Sequence, residues 1–550
     1  MHFKIFISFC LCVASLLGAT EDKDTLFFFR DKPACLAKDF YISRYLKLPS
    51  TTPQEANKLF HMVHRMTYPL FYSFAEKMGN QEYKKIVKCL KMDYKTLLTQ
   101  DSECIAIGIN PSIVAALDKK RIKELSSQLF YYKNITQILD IMSSKDVFQS
   151  LMQAKESIFF SIFNGCGSAY RETFLNQHIS VEKLEQLASN RKFKYTVKIA
   201  YGSTKLHSLK KTLLHVRAEK VLDQEALFFM GLNAIDENRK DIALSFFEEA
   251  SKKAKKRIDA DRAIFWQYLI TKNEKYLNLM LESFDINIYT LYAYEKLGKK
   301  PINIITPHFE GEHPTFNIKN PFSWAVLLEK TTQMTTVEVE EEANKYRYDN
   351  TLPHYTYLME KALKGKANFY PMPYLQHLIS YDVSRVALML AIARQESRFI
   401  PSVVSVSYAL GMMQFMPFVA KDIALKNEIE DFDLDNMFDP KTAYDFGNIH
   451  LDYLQKYLYH PIFVAYAYNG GIGFTKKLLQ SKKHFMDGEY EPFLSLETMP
   501  NEESKDYGKK VLANYVVYMQ LLDQNVSISN LFETLTQPSY TDRFREKEIR

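Results

Sequence analysis

The chain is 550 residues long, 47% hydrophobic and 25% charged, the balance of an ordinary globular protein with room for two or three domains. A formal net charge of +6 is mild over this length. It suits an acidic polymer as a partner, but it gives no footing for nucleic-acid binding, and no sustained Lys/Arg block adds one.

At the start, Lys4 precedes IFISFCLCVASLLGA, an apolar stretch too short for a membrane span that closes on small residues. That is the layout of a secretory signal peptide over residues 1–19, with cleavage near Ala19 or Thr20. The rival reading is an uncleaved membrane anchor. No later run approaches the ~18 apolar residues of a span, so the mature chain is expected to have none. Cleavage removes Cys10 and Cys12 and leaves Cys35, Cys89, Cys104 and Cys166. An even number in an oxidising compartment allows one or two disulfides, with three connectivities for two bridges. Cys89 and Cys104 are the pair nearest in sequence.

Residues 20–300 read as a long α-helical arm, because residues 1–300 hold only five prolines and helical periodicity runs through most of that length. ALFFMGLNAIDENRKDIALSFFEEA (226–250) reads as a helix, a polar turn at Asp236–Lys240 and a second helix. Leu227, Gly231, Ala243, Phe247 and Ala250 sit where a tetratricopeptide-like hairpin places its packing residues. No strict period is present, so a degenerate solenoid and an irregular helical bundle both remain open. Within the arm, His61 and His64 stand three apart on an expected helix, but without a third metal ligand they read as surface histidines. Four prolines between Pro301 and Pro321 begin a small connector over 301–366, and GKANFYPMPY closes it. A compact domain over 367–530 follows, then a C-terminal tail, 531–550. Seven of the seventeen glycines lie between Gly411 and Gly508, and turn-rich chain of this kind is where sites are built.

The domain opens on a helix from Val383 to about Glu396, with Asp382 as its N-cap. VALMLAIA (Val386–Ala393) is apolar on every face, so the helix belongs in the middle of its domain, and Pro401 stops any continuation. Glu396 therefore falls in the last turn of a buried helix. Limited solvent and the helix dipole both raise a carboxyl pKa there, which suits a general acid near neutral pH. The bland alternative is an exposed end-of-helix Glu paired with Arg394 or Arg398. SVSYALGMMQFMP (405–417) adds a glycine turn, an amide and thioethers. AYAYNGGIG (465–473) puts Tyr468 and Asn469 before a double glycine.

Taken together, Glu-Ser, then GMMQFMP fifteen residues on, then AYNGG, resemble the catalytic domain of soluble lytic transglycosylases, bacterial enzymes with a goose-type lysozyme-like fold. MPNEESKDYGKKVL (499–512) matches a later family segment at Pro500, Glu503, Ser504, Lys505 and Tyr507, and MFDPKTAYDFGNIHLDYL resembles the family's Asp-Pro helix. Tyr408 stands where the family usually has glycine, Met412 where leucine is common, Lys505 for arginine and Gly508 for valine. The motifs cover about residues 370–525; upstream only the architecture is similar. The resemblance implies a mainly all-α fold, with a helical superhelix, a connector and a lysozyme-like domain. It implies a periplasmic enzyme that cleaves peptidoglycan glycan strands with neither metal nor organic cofactor.

Glycosidases usually need two carboxylates; the resemblance implies that Glu396 alone suffices. Ser405 and Tyr507 would hold the substrate's acetamido group, Gln414, Met416, Tyr468 and Asn469 would line the glycan cleft, and Glu503 would sit nearby. A lysozyme-like hydrolase of the same fold is the nearest rival. A wall-binding scaffold, whose arm recruits other cell-wall enzymes, is a rival of another kind. There is no HExxH, phosphate loop or nucleophilic Ser/Cys motif to support other chemistries.

Overall fold

The structure, a computed structural model, describes residues 23–217 and 220–546. The segment expected to be a signal peptide lies outside the described residues. Those residues form thirty-three α-helices, four 3-10 helices and two strands of two residues each, so the mainly all-α expectation holds. None of the helices is long and apolar enough to cross a membrane.

By internal contacts the chain divides into a unit ending at Lys84 and a unit beginning at Lys85. In the first, Phe28, Phe29, Tyr41 and Tyr45 form an aromatic core. Buried Asp39 accepts the backbone N–H groups of His64 and Arg65 at 2.8 Å. His61 caps the helix Pro53–Phe60 and His64 lies in the turn beyond it. The two histidines therefore do not share a helix face.

The second unit begins with short helices stapled by a Cys89–Cys104 disulfide, with Cys166 a free buried thiol. The hairpin expected from 226–250 is present as helices Gln224–Asp236 and Lys240–Lys253. All five of its packing residues are buried, and the Phe247 ring packs against both Phe228 and Trp266. Trp266 belongs to the next helix, Arg257–Thr271, and Ile288–Lys296 closes this run.

The connector packs Trp324, Leu327, Val339, Tyr346 and Leu358 into a small core of its own that also takes in Ile400. Its start meets the segment just beyond it: Ile304–Ile305 pairs in parallel with Asn368–Phe369. The apolar helix Val383–Ser397 then enters the last domain, with Asp382 capping it through the Arg385 N–H at 3.0 Å. Ten of its fifteen residues are buried. Burial of this kind contributes about 1.5–3 kcal/mol per large aliphatic side chain, which is why a helix apolar all round is stable only at the centre of a domain. It packs against the long helix Glu502–Leu521, which also packs on Pro461–Gly470. Residues 528–546 add three short helices.

Candidate active site

The helix ends where the sequence says it should. Arg398 and Phe399 turn into left-handed backbone at φ 55° and 65°, and the Arg398 N–H donates back to Arg394 at 3.2 Å. The Ser397 hydroxyl donates to the Met412 carbonyl at 2.8 Å, tying the helix end to the glycine turn of the second motif. Sequence reasoning missed this role for Ser397, because a buried serine in a motif shows nothing of where it bonds.

Glu396, one residue earlier, is partly open to solvent but set in protein on most sides. Neither neighbouring arginine pairs with it. Arg394 stacks on Tyr370 at 4.0 Å, donates to the Phe369 carbonyl at 2.9 Å and to Asn514 at 2.8 Å, and shares Glu360 with Arg398. The end-of-helix ion pair is thus excluded, and Glu396 is left with a different partner. The buried Tyr507 hydroxyl, from the long helix, donates to its Oε1 at 2.8 Å. Burial, opposed by that hydrogen bond and reinforced by the nearby Glu503 charge, pushes the Glu396 carboxyl up from 4.5 to about 7. A carboxyl titrating there is well populated in both forms near neutral pH, the condition for giving up and then retaking a proton. Burial, with Glu396 beside it, lifts the Tyr507 phenol well above its ordinary value, so it stays a donor.

The third motif sits on the helix Pro461–Gly470. Burial and the charge of Glu396 raise the Tyr468 phenol as well, which places it in the same neighbourhood, and its hydroxyl donates to the Met413 carbonyl at 2.8 Å. Asn469 accepts the Ser504 hydroxyl at 2.7 Å and reaches the exposed Glu503 at 3.5 Å. The last segment of motif is thereby locked to the third, with Glu503 exposed beside the junction.

The second motif is a tight double reversal, with bridges Val404–Leu410 and Leu410–Phe415. Ser405 accepts the Ala409 N–H at 2.9 Å. The Gln414 amide nitrogen donates to Gly411 at 2.7 Å and Val403 at 3.2 Å, so that nitrogen is spent on the loop itself. Met416, half-buried, begins the helix Pro417–Lys426. Gly411 is at φ +74°, and a Cβ there would lie 2.0 Å from the Met437 carbonyl oxygen; no other residue fits. Tyr408 is at φ +64°, left-handed backbone that glycine takes freely and a side chain takes at about 1–2 kcal/mol. That is a physical reason for the glycine usual in the family. Among the described residues no group of three or more His, Cys, Asp or Glu is arranged to hold a metal.

Residues 379–490 match the family model described as the Transglycosylase SLT domain. The chain is 27% identical over 260 residues to a soluble lytic murein transglycosylase of Salmonella typhimurium, covering 44% of this chain and 38% of that protein. It is 29% identical over 221 residues to a putative soluble lytic murein transglycosylase of Haemophilus influenzae, covering 38% and 35%. The Escherichia coli soluble lytic murein transglycosylase is 30% identical over 146 residues, covering 26% and 22%. The chain thus spans well under half the length of the curated relatives it matches. Among solved structures, the 70 kDa soluble lytic transglycosylase of Escherichia coli aligns with a TM-score of 0.45 and 16% identity, over 92% of this chain and 80% of that one. Lytic transglycosylase Slt of Pseudomonas aeruginosa aligns with a TM-score of 0.48 and 15% identity, over 92% and 89%.

Proposed function

We propose that this chain, whose C-terminal region is related to the soluble lytic transglycosylases, is itself a lytic transglycosylase. It cleaves the bond between N-acetylmuramic acid and N-acetylglucosamine in peptidoglycan without consuming water. The observation that carries the reading is the Glu396 carboxyl, set in protein on most sides, pushed up to about 7 and held by the Tyr507 hydroxyl.

In this mechanism Glu396, protonated, gives its proton to the bridging glycosidic oxygen as the bond to muramic C1 breaks. The substrate's own acetamido oxygen stabilises the cationic carbon, the role a second carboxylate plays elsewhere. Glu396, now a carboxylate hydrogen-bonded by Tyr507, takes the proton of the muramic C6 hydroxyl. That oxygen closes on C1 to leave a 1,6-anhydro ring. Bonds and protons balance: one C–O bond breaks, one forms, and one proton passes from O6 to the leaving oxygen through a single residue. Ser405 and Tyr507 act on the acetamido group, while Gln414, Met416, Tyr468 and Asn469 line the cleft. Glu503 orients substrate from the rim. The reaction needs neither metal nor organic cofactor. The signal-like N-terminus supports a periplasmic location, and the helical arm is the surface for any contact with other wall enzymes.

One observation favours a second reading. The charge of Glu503 reaches Glu396, and a second carboxylate beside the acid would instead activate water, making the enzyme a hydrolase. Mass spectrometry of muropeptides released from purified peptidoglycan decides between them. Anhydro products, lighter by one water, from the wild type and none from Glu396→Gln are expected. Reducing-end products would convert the reading to hydrolysis, and no products from either protein would leave a wall-binding scaffold.

A further inference from the structure

The long helix Glu502–Leu521 has two working faces. Glu503, Tyr507 and Asn514 lie on one: Tyr507 reaches Glu396, and Asn514 donates to the Ala391 carbonyl at 3.2 Å on the Glu396 helix. Glu502, Lys505 and Lys509 recur at helical spacing on the other, since residues two apart in a helix point roughly 200° away from each other. That second face meets the arm.

Four charged or phenolic groups are sealed there. Glu497 is 1% exposed, Tyr289 2%, Lys509 4% and Arg262 6%. The Tyr289 hydroxyl donates to Glu497 Oε1 at 2.6 Å. The Lys509 ammonium donates to Glu497 Oε2 at 2.7 Å and to the Tyr289 oxygen at 2.9 Å. Arg262 stands 3.6 Å from Glu497, lies over the Phe228 ring at 3.9 Å and bonds Glu225 at 2.5 Å. Lys198 bridges Glu225 at 2.8 Å and also bonds Glu502. Lys505 faces the same cluster and adds its charge to Glu497 and Glu502. Lys198, Glu225, Arg262 and Tyr289 come from four successive parts of the arm. Glu497, Glu502 and Lys509 come from the catalytic domain. Charges this deeply buried need every partner in place, because an unpaired one is costly.

We propose that Arg262 and Tyr289 of the arm are positioning residues for the reaction: by clamping Glu497 and Lys509 they fix the long helix so that Tyr507 meets Glu396. The arm is then part of the active site's support, not only a surface for partners. The inference rests on the proposed transglycosylase reading for its kinetic test, but not for its titration test.

The variants are Tyr289→Phe, which removes one hydroxyl, and Arg262→Met, which keeps volume while removing charge. Loosening the clamp withdraws the Tyr507 hydrogen bond that lowers the Glu396 pKa. In the intact protein, the basic limb of the kcat/KM profile on peptidoglycan should therefore move up by on the order of one pH unit, with kcat down about tenfold and KM little changed. Tyr507→Phe should move the same limb, and adding Tyr289→Phe to it should move the limb no further. Without any glycan, the Glu396 titration is read from the pH dependence of the melting-temperature difference between each background and its Glu396→Gln version. That midpoint should rise in the Tyr289→Phe background as it does in Tyr507→Phe. A midpoint and limb unchanged in folded Tyr289→Phe and Arg262→Met would overturn the proposal. Absent products from the wild type would instead sink the transglycosylase reading and leave the titration to judge the clamp.

Discussion

Replacing Glu396 by Gln should stabilise the protein, and only at higher pH. The carboxyl titrates at about 7 in the fold against 4.5 as a free group. Between those values the native protein holds a proton that the unfolded chain has released. The group's contribution to stability is therefore complete below about pH 4.5 and is lost as pH rises through 7. Carried across that window at 1.36 kcal/mol per pH unit, the loss comes to about 3 kcal/mol. Gln has the same shape, and its amide oxygen can still accept from the Tyr507 hydroxyl. The substitution thus removes the burdened charge with little change in packing. Urea denaturation of the two proteins at a series of pH values is the assay. Their stabilities should agree near pH 4.5, diverge through neutrality and differ by about 3 kcal/mol from pH 8 upward, the variant being the more stable and inactive. Such a trade between stability and activity is common where a site holds a disfavoured group. Parallel stability curves would refute the reasoning: Glu396 would then titrate as a solvated carboxyl, and its place in the last turn of a buried helix would have no chemical consequence.

Three further variants test the frame of the fold. Gly508→Val introduces the residue usual in the transglycosylase motif that this segment resembles, yet a Cβ at 508 would lie 2.2 Å from the buried Tyr466 ring and 3.1 Å from Ile462. Overpacking should cost about 1–3 kcal/mol and lower the melting temperature. Gly411→Ala drives a methyl into the Met437 carbonyl at φ +74°, so a loss of about 3 kcal/mol or more is expected, visible in thermal melting together with lost activity. Replacing Cys89 and Cys104 by Ser opens a cross-link spanning 15 residues, which the chain-entropy relation values at about 3 kcal/mol. Dithiothreitol should lower the wild-type stability by a similar amount and leave the double variant unmoved.

These effects separate what the sequence carries openly from what only folding reveals. The Glu396 helix was legible because its signals are local: an acidic cap, eight apolar residues that could be comfortable only inside, and a proline just past the end. The hairpin at 226–250 was legible for the same reason. The partner of Glu396 was not local. Tyr507 arrives from 111 residues away, and no periodicity indicates which face of a 20-residue helix meets which carboxyl; the resemblance marked Tyr507 only as a residue for the acetamido group. Gln414 shows the converse. The resemblance put it in the lining of the glycan cleft, and in the fold its amide nitrogen holds the motif's own loop together.

The clamp on the arm was hidden for a physical reason. Arg262, Lys198, Glu225, Glu497 and Lys509 each look like ordinary solvated residues of amphipathic helices, because single charges are the usual dress of a helix surface. Only their convergence from distant stretches of the chain takes them largely out of water. Burial changes their meaning, since a charge that costs almost nothing in water becomes one that must be matched. Lys509 illustrates the stake: burial lowers its ammonium from 10.5 to about 8, against the pull of Glu497. Its charge therefore depends on that pairing within reach of ordinary pH. A helix that presents an acid's partner on one face and a cluster of this kind on the other cannot be displaced on one side without strain on the other. The geometry of Glu396 is in that sense set by the arm as much as by the motifs, and a fragment beginning at residue 367 would keep every motif while exposing the charges proposed to hold Tyr507 in place.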